Sequence, residues 1–205
     1  MEISEQVALH RAYYDSTANG YANDAPKVRD IVREVVDWFC GYLKPGSSVL
    51  DIGPGVGIAT AMFCDKGYKV SAIELSPAMA AHAARAAPRA TIINEDFFTY
   101  EFDGPFDGIF ACAILHLYDR AGSEQMLRAM HACLREDGHA YVNAPLGVCE
   151  DDIITPRKTH YQKHTDASLD KLVRACGFSP VDRRPTKDPT RPGMFWTNYI
   201  IRRTQ

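Results

Sequence analysis

The chain has 205 residues, of which 46% are hydrophobic and 24% charged, and 23 Lys and Arg stand against 26 Asp and Glu for a formal net charge of −3. The length suits one domain with a sizeable core, the composition excludes wholesale disorder, and the charge balance gives no reason to expect nucleic acid as a partner. The apolar runs are far shorter than the roughly 18 residues that span a bilayer, so no membrane partner is expected either.

The opening stretch MEISEQVALHRAYYDS has neither a basic n-region nor an apolar h-region, and a cytoplasmic location is expected. Residues 1–45 read as a lead-in, with a helix over 27–43 on which Val28, Ile31, Val32, Val35 and Val36 recur along one side. Then come a strand over 49–52, a helix over 58–66, a strand over 69–73, a helix over 77–87 and a strand over 91–93. The alternation continues with a strand over 108–111, a helix over 123–134, a strand over 139–143, a helix over 167–176, and strands near 179–183 and 195–202. This order predicts a single domain over 1–205, an open α/β sheet with helices on both faces. Ser76-Pro77 makes an N-cap and first-turn pair, and Gly67, Gly138 and Gly177 sit where C-terminal caps or the turns after them belong. The alanine-rich stretch 78–87 reads as small-residue packing against the sheet.

Residues 145–165 break the alternation. They form a long insertion with Tyr161 inside it, and such segments in compact domains are usually functional; binding of an acceptor is the expectation. Arg157, Lys158, His160, Lys163 and His164 make it locally cationic, which would favour an anionic acceptor. His160 and His164 are four apart and on a helix would share a face as metal ligands, but no third His or Cys stands near, so a solvated basic loop is the reading and no metal is expected. Six cysteines, at 40, 64, 112, 133, 149 and 176, lie apart without a Cys-x-x-Cys pair and read as reduced thiols.

The most informative segment is SSVLDIGPGVGIAT, from Ser47 to Thr60. A strand closes on Asp51 and runs into Gly53, Pro54, Gly55 and Gly57, so that bare backbone can approach a ligand ahead of a helix N-terminus. Ile58 stands where a dinucleotide fingerprint needs Gly or Ala, and no Gly-Lys-Ser/Thr closes a phosphate loop. A carboxylate beside the loop suits a cation instead, and S-adenosylmethionine (SAM) carries both a sulfonium and an ammonium. Glu74 and Asp96 follow the next two strands. In an open parallel sheet ligands lie beyond the carboxyl ends of the strands, where Glu74 can accept both hydroxyls of a ribose and Asp96 an adenine amino group, with Leu75 or Phe97 giving the base an apolar face.

On these residues the chain resembles the class I SAM-dependent methyltransferases of the small-molecule type, whose first motif is Asp-x-Gly-x-Gly-x-Gly. The resemblance extends through Phe106 to Ala111, Ile114 to Leu117, Leu134 to Asn143, Tyr161, Leu169 to Phe178 and Phe195 to Arg203. It implies a Rossmann-like, doubly wound, mostly parallel sheet with an antiparallel last strand, SAM as methyl donor, S-adenosylhomocysteine as product, and the same roles for Glu74 and Asp96. It also implies that Tyr13 to Tyr21 folds over the methionine end of SAM, with Tyr14 or Tyr21 as a lid contact and Arg11 within reach of its carboxylate. Ala111 closes the fourth strand beside the cofactor.

Methyl transfer from a sulfonium needs orientation first, worth about 7–11 kcal/mol, and a base only for some acceptors. His116, after the fourth strand, is the candidate base, and its alternative is a hydrogen bond that anchors the loop; Tyr161 would orient the acceptor. The expected reaction is methylation of an oxygen or nitrogen of a small molecule. Aminopropyl transfer from decarboxylated SAM, or a non-catalytic SAM-binding subunit, are the alternatives.

Overall fold

The computed structural model describes residues 2–149, 151–155, 160–188 and 190–204. Apolar residues alternate along the central strands so that each strand feeds two cores, as expected for a sheet covered on both faces. Val49, Phe110, Tyr141 and Ile200 face one layer, and Leu50, Ile109, Val142 and Ile201 face the other. The strands are β1 (Ser48–Ile52), β2 (Lys69–Ile73), β3 (Thr91–Ile93), β4 (Phe106–Ala111), β5 (Leu134–Pro145), β6 (Asp151–Ile154), β7 (His160–Lys163), β8 (Phe178–Lys187) and β9 (Phe195–Arg203). Seven of them form one sheet in the order β3-β2-β1-β4-β5-β9-β8. The first five are mutually parallel, and β9 runs antiparallel to both β5 and β8. The sheet is thus the doubly wound, mostly parallel one, with its last strand reversed.

The helices are α1 (Ile3–Cys40), α2 (Ile58–Asp65), α3 (Pro77–Ala86), α4 (Arg120–Cys133) and α5 (Asp166–Ala175). Leu127 and Met130 of α4 and Leu169 and Leu172 of α5 pack in one layer; Met62 and Phe63 of α2 pack in the other. Helix α1 serves both. Val7 belongs to the α4 and α5 layer, while Val35, Val36 and Phe39 belong to the α2 layer. A 38-residue helix is about 57 Å long, enough to cross the carboxyl edge of the sheet from one face to the other.

Three expectations are corrected. The lead-in helix over 27–43 is the C-terminal part of α1, which runs unbroken through Gly20 and Pro26 because tertiary packing outweighs their helix-breaking tendency. The insertion over 145–165 contains the antiparallel hairpin β6–β7, and His160 and His164 are buried rather than part of a solvated loop; Arg157 and Lys158 lie outside the described residues. Gly138 is not a cap but an interior residue of β5, and the backbone turn there is taken by Asp137 at φ +58°. The β4–β5 register jumps at the same place, from Phe106 opposite Leu134 to Gly108 opposite His139. Among the described residues no helix is long and apolar enough to cross a membrane.

The alanine-rich α3 does pack closely, and its partner is the end of the glycine loop. Gly57, the N-cap of α2, has φ +87°, and a Cβ there would stand 2.8 Å from the Cα of Ala83. Gly57→Ala therefore combines left-handed strain with a backbone clash. It is expected to lower unfolding free energy by about 2 kcal/mol or more in urea melts at unchanged m-value; an unchanged midpoint would contradict this packing.

Candidate functional site

A cavity of about 810 Å³ opens at the carboxyl ends of β1, β2, β3 and β4, roofed by α1. Gly53 and Gly55 line it, and their φ values of +65° and +56° are ones that side chains rarely adopt. A Cβ at Gly53 would also run into the side chain of Ile114. Pro54 and Gly57 belong to the same loop, and Ala111 ends β4, but none of these three is on the cavity wall.

Glu74 is the hub of this end. Its Oε2 accepts the Gly55 N–H at 3.0 Å and its Oε1 the Ser76 N–H at 2.9 Å. Each oxygen keeps a further lone pair for a ligand on the cavity side. Burial pushes its carboxyl above the usual range, opposed by the hydrogen bonds from Ser76, Gly55 and Leu75. Asp51 stands behind the loop rather than on the wall. It is 2% exposed and accepts from Thr60 Oγ1 at 2.6 Å. Burial raises its carboxyl to about 7, the Thr60 bond works the other way, and the charge of Glu74 adds to the rise.

Asp96, Phe97 and Leu75 line the cavity beside Glu74. Asp96 Oδ1 accepts the Phe98 N–H at 3.0 Å, which fixes the turn after β3. Tyr14 and Tyr21 line the roof from α1, with ring centroids 5.7 Å apart. Neighbouring Asp15 accepts from Ser76 Oγ and the Ala78 N–H, both at 2.9 Å, and so clamps α1 onto the N-terminus of α3. Arg11 is not in the main cavity; it lines an adjoining groove with Asp15 and Asp96.

The opposite end of the cavity is built from the 3₁₀ turn Leu115–Leu117, β7, β8 and β9. His116 is edge-on to both Tyr161 and Trp196, at centroid distances of 5.2 and 5.0 Å. Its Nδ1 is buried and finds no hydrogen-bond partner among the described residues. Burial lowers its imidazole to about 3, with help from the charge of Arg191 and from His10 and His164. His116 is therefore neutral at physiological pH and a weak base.

Sequence reasoning missed the residues that hold this end together. Asp188 accepts from the Trp196 indole Nε1 at 2.9 Å, from Arg191 Nε at 2.9 Å, and from Thr190 N and Oγ1 at 2.9 and 2.8 Å. Against the upward push of burial, these bonds and the charge of Arg191 bring its carboxyl down to about 2. The Asp188-Pro189-Thr190 run is an Asx-turn signal that would have pointed to it. Asn143 and Asn198 were missed as well. Asn143 Oδ1 accepts the Ala113 N–H at 2.6 Å, and Asn198 Oδ1 accepts from Tyr141 OH at 2.6 Å, an arrangement that fixes the loop after β4, where Ala113 has φ +58°. His164 is buried against Gln162 and Ser168. Among the described residues no group of three or more His, Cys, Asp or Glu is placed to hold a metal ion.

A family profile described as a methyltransferase domain matches residues 49–138. The chain is 37% identical over 169 residues to the uncharacterized methyltransferase YrrT of Bacillus subtilis (strain 168), covering 79% of this chain and 74% of that one. The chain belongs to the class I SAM-dependent methyltransferases. This methyltransferase is also 31% identical over 94 residues to the ribosomal RNA small subunit methyltransferase A of Mycolicibacterium vanbaalenii, a match of 42% of this chain but only 28% of that protein's length. In fold it is similar to the 1,6-didemethyltoxoflavin-N1-methyltransferase of Burkholderia thailandensis, solved with 1,6-didemethyltoxoflavin and S-adenosylhomocysteine. The TM-score is 0.87 at 24% identity, over 100% of this chain and 92% of that one.

The raised carboxyl of Asp51 makes the methyltransferase less stable as pH rises. Stability from its neutral form is complete below about 4, its unfolded value, and is lost as pH climbs through about 7. Asp51→Asn removes that loss. The melting temperature of the variant should exceed that of the parent at pH 8 and converge with it near pH 4; a difference independent of pH would show that Asp51 is not a buried, uncompensated carboxylate.

Proposed function

We propose that this chain transfers a methyl group from SAM to an oxygen or nitrogen atom of a small-molecule acceptor. The observation that carries the reading is the pair of buried carboxylates at the glycine loop. Burial raises both Asp51 and Glu74, and the charge of Glu74 adds to the rise of Asp51, with no cationic side chain opposing either. Such a site gains from a cationic ligand, whereas a pyrophosphate would meet like charge.

Bound SAM supplies a methyl group on a positively charged sulfur that is already a good leaving group. The rest falls to the chain. Gly53 and Gly55 let the backbone approach the amino-acid portion, and Glu74 takes the two ribose hydroxyls on its remaining lone pairs. Asp96 takes the adenine amino group, with Leu75 and Phe97 against the base. Tyr14 and Tyr21 cover the methionine end and exclude water. Asp51 acts through the loop and through its charge, since the wall in front of it is backbone. His116 offers the acceptor a hydrogen bond and Tyr161 orients it; neither is required to remove a proton. The acceptor end does not suit aminopropyl transfer to a polyamine, because its carboxylate, Asp188, is already paired with Arg191 and bonded to Trp196.

Calorimetric titration tests this. SAM and S-adenosylhomocysteine should bind at micromolar concentrations and NAD should not. Glu74→Gln, which keeps the side-chain shape, should weaken both by about 2 kcal/mol, roughly thirtyfold. Affinity for SAM should rise as pH passes upward through about 7, where Asp51 ionises, and should lose that dependence in Asp51→Asn. Binding of NAD alone, or indifference to the Glu74 substitution, would overturn the reading. For His116, the expected result is a His116→Asn variant whose pH–rate profile between pH 5 and 9 matches the parent's; loss of one limb of that profile would make the imidazole the base.

A further inference from the structure

The cavity wall changes sign along its length. Glu74, Glu95 and Asp96 line it after β2 and β3, at one side of the sheet, while Lys187 and Arg191, with Asp188 between them, line it beside β8 and β9, at the other, where the cations outnumber the carboxylate. The acidic end is complementary to a cationic donor. The basic end is complementary to something negative.

Arg191, about half exposed, is held in position by its partners. Its Nε and Nη2 both bond Asp188 Oδ2 at 2.9 Å, and its Nη1 donates to Tyr161 OH at 3.3 Å. Its guanidinium carbon lies 5.8 Å from the ring centroids of both Tyr161 and Trp196. Three of its five N–H donors are thereby used, and two remain. Its charge also bears on His116, as the second cause, after burial, of the low basicity of that imidazole. The same three rings, His116, Tyr161 and Trp196, form an aromatic enclosure in which a buried Nδ1 has no partner among the described residues. Flat apolar walls with one hydrogen-bonding nitrogen and one oriented guanidinium suit a flat, charged ring.

We propose that this end takes a planar aromatic acceptor in its ionised form, a phenolate or a deprotonated ring nitrogen, and that Arg191 is the residue that selects its charge. The inference rests on the methyl-transfer reading above and names its substrate class. It also explains how the site works without a base. An ionised acceptor uses its own lone pair to form the bond to the methyl carbon as the carbon–sulfur bond breaks and that electron pair leaves on sulfur. The positive and negative charges cancel, and no proton moves within the site.

The test is a spectroscopic titration of the protein saturated with S-adenosylhomocysteine, using 4-nitrophenol, whose phenolate absorbs in the visible where the phenol does not. At a pH where the free dye is about half ionised, binding should increase the phenolate band, equivalent to a downward shift of the dye's pKa by about one unit, a tenfold preference for the anion. The neutral isostere 4-nitroanisole should bind roughly tenfold more weakly. Arg191→Gln should abolish the shift, and Arg191→Lys should keep part of it. Because Arg191→Gln also strips Asp188 of its partner and can disturb folding, Lys187→Gln is the second variant. It touches none of the Asp188 bonds and should reduce the shift without affecting the binding of S-adenosylhomocysteine. A fall in the phenolate band on binding, equal binding of 4-nitroanisole, no binding of the dye, or a shift unchanged in both the Arg191→Gln and Lys187→Gln variants would overturn the proposal. Calorimetric binding of S-adenosylhomocysteine, measured beforehand on each protein, separates the two levels. If it binds and the dye behaves otherwise, the acceptor class falls alone; if it does not bind, the methyl-transfer reading falls too.

Discussion

Glu74, 6% exposed, accepts the N–H groups of Gly55 and Ser76 and so ties the glycine loop after β1 to the N-terminus of α3. Both donors would otherwise be orphans at chain turns that no side chain of their own can satisfy. The tie fixes the loop's height above the sheet, and Gly57 then rests against Ala83 with no room for a side chain. Asp15 of α1 clamps the same N-terminus through Ser76 and Ala78. Loop, floor and roof of the cavity thus meet at Ser76, held by the carboxylates of Glu74 and Asp15, and Glu74 itself lines the cavity. Loop architecture and cavity wall cannot be varied independently at such a residue, and Asp51 behind it carries the desolvation penalty of a buried carboxylate.

The opposite end is organised by a second carboxylate with the reverse logic. Asp188 is saturated by donors, stays ionised, and spends its charge on holding Arg191 and Trp196. Between the two lies His116, whose neutrality follows from burial and from the Arg191 charge together. The chemistry assigned to the cavity therefore relies on placement of two oppositely charged reactants, which is where most of the available acceleration of a bimolecular displacement resides.

Much of this was written in the sequence where local chemistry decides. β2 and β3 occupy the residues that their β-branched and apolar character predicts, because short strands bounded by Gly, Ser and Asn leave little freedom of register. The Asp51 to Gly57 motif and the carboxylates at 74 and 96 are legible for the same reason: a strand tip followed by a tight turn is a local event. What was illegible depends on distant partners. The part of α1 ahead of residue 27 contains Gly20 and Pro26, and it is helical because Val7 finds the α4 and α5 core and Asp15 finds α3. The β6–β7 hairpin has no alternation strong enough to announce itself, and its strands pair with each other outside the main sheet. Asp188, Arg191 and Trp196 span nine positions in a loop and a strand start, where Arg191 and Trp196 both donate to Asp188 and Arg191 reaches across to Tyr161. Asp51 shows the limit from the other side, since its spacing suggested a wall residue and its burial against Thr60 puts it behind the wall.

The most direct measurement is a crystal structure of the chain with S-adenosylhomocysteine. The expected result places both ribose hydroxyls within hydrogen-bond distance of the Glu74 carboxylate, the adenine beside Asp96, and the sulfur directed toward His116. An adenosyl group lodged elsewhere in the cavity, or bound with Glu74 turned away from the ribose, would contradict the assignment of this carboxylate as the residue on which fold and cofactor binding both depend.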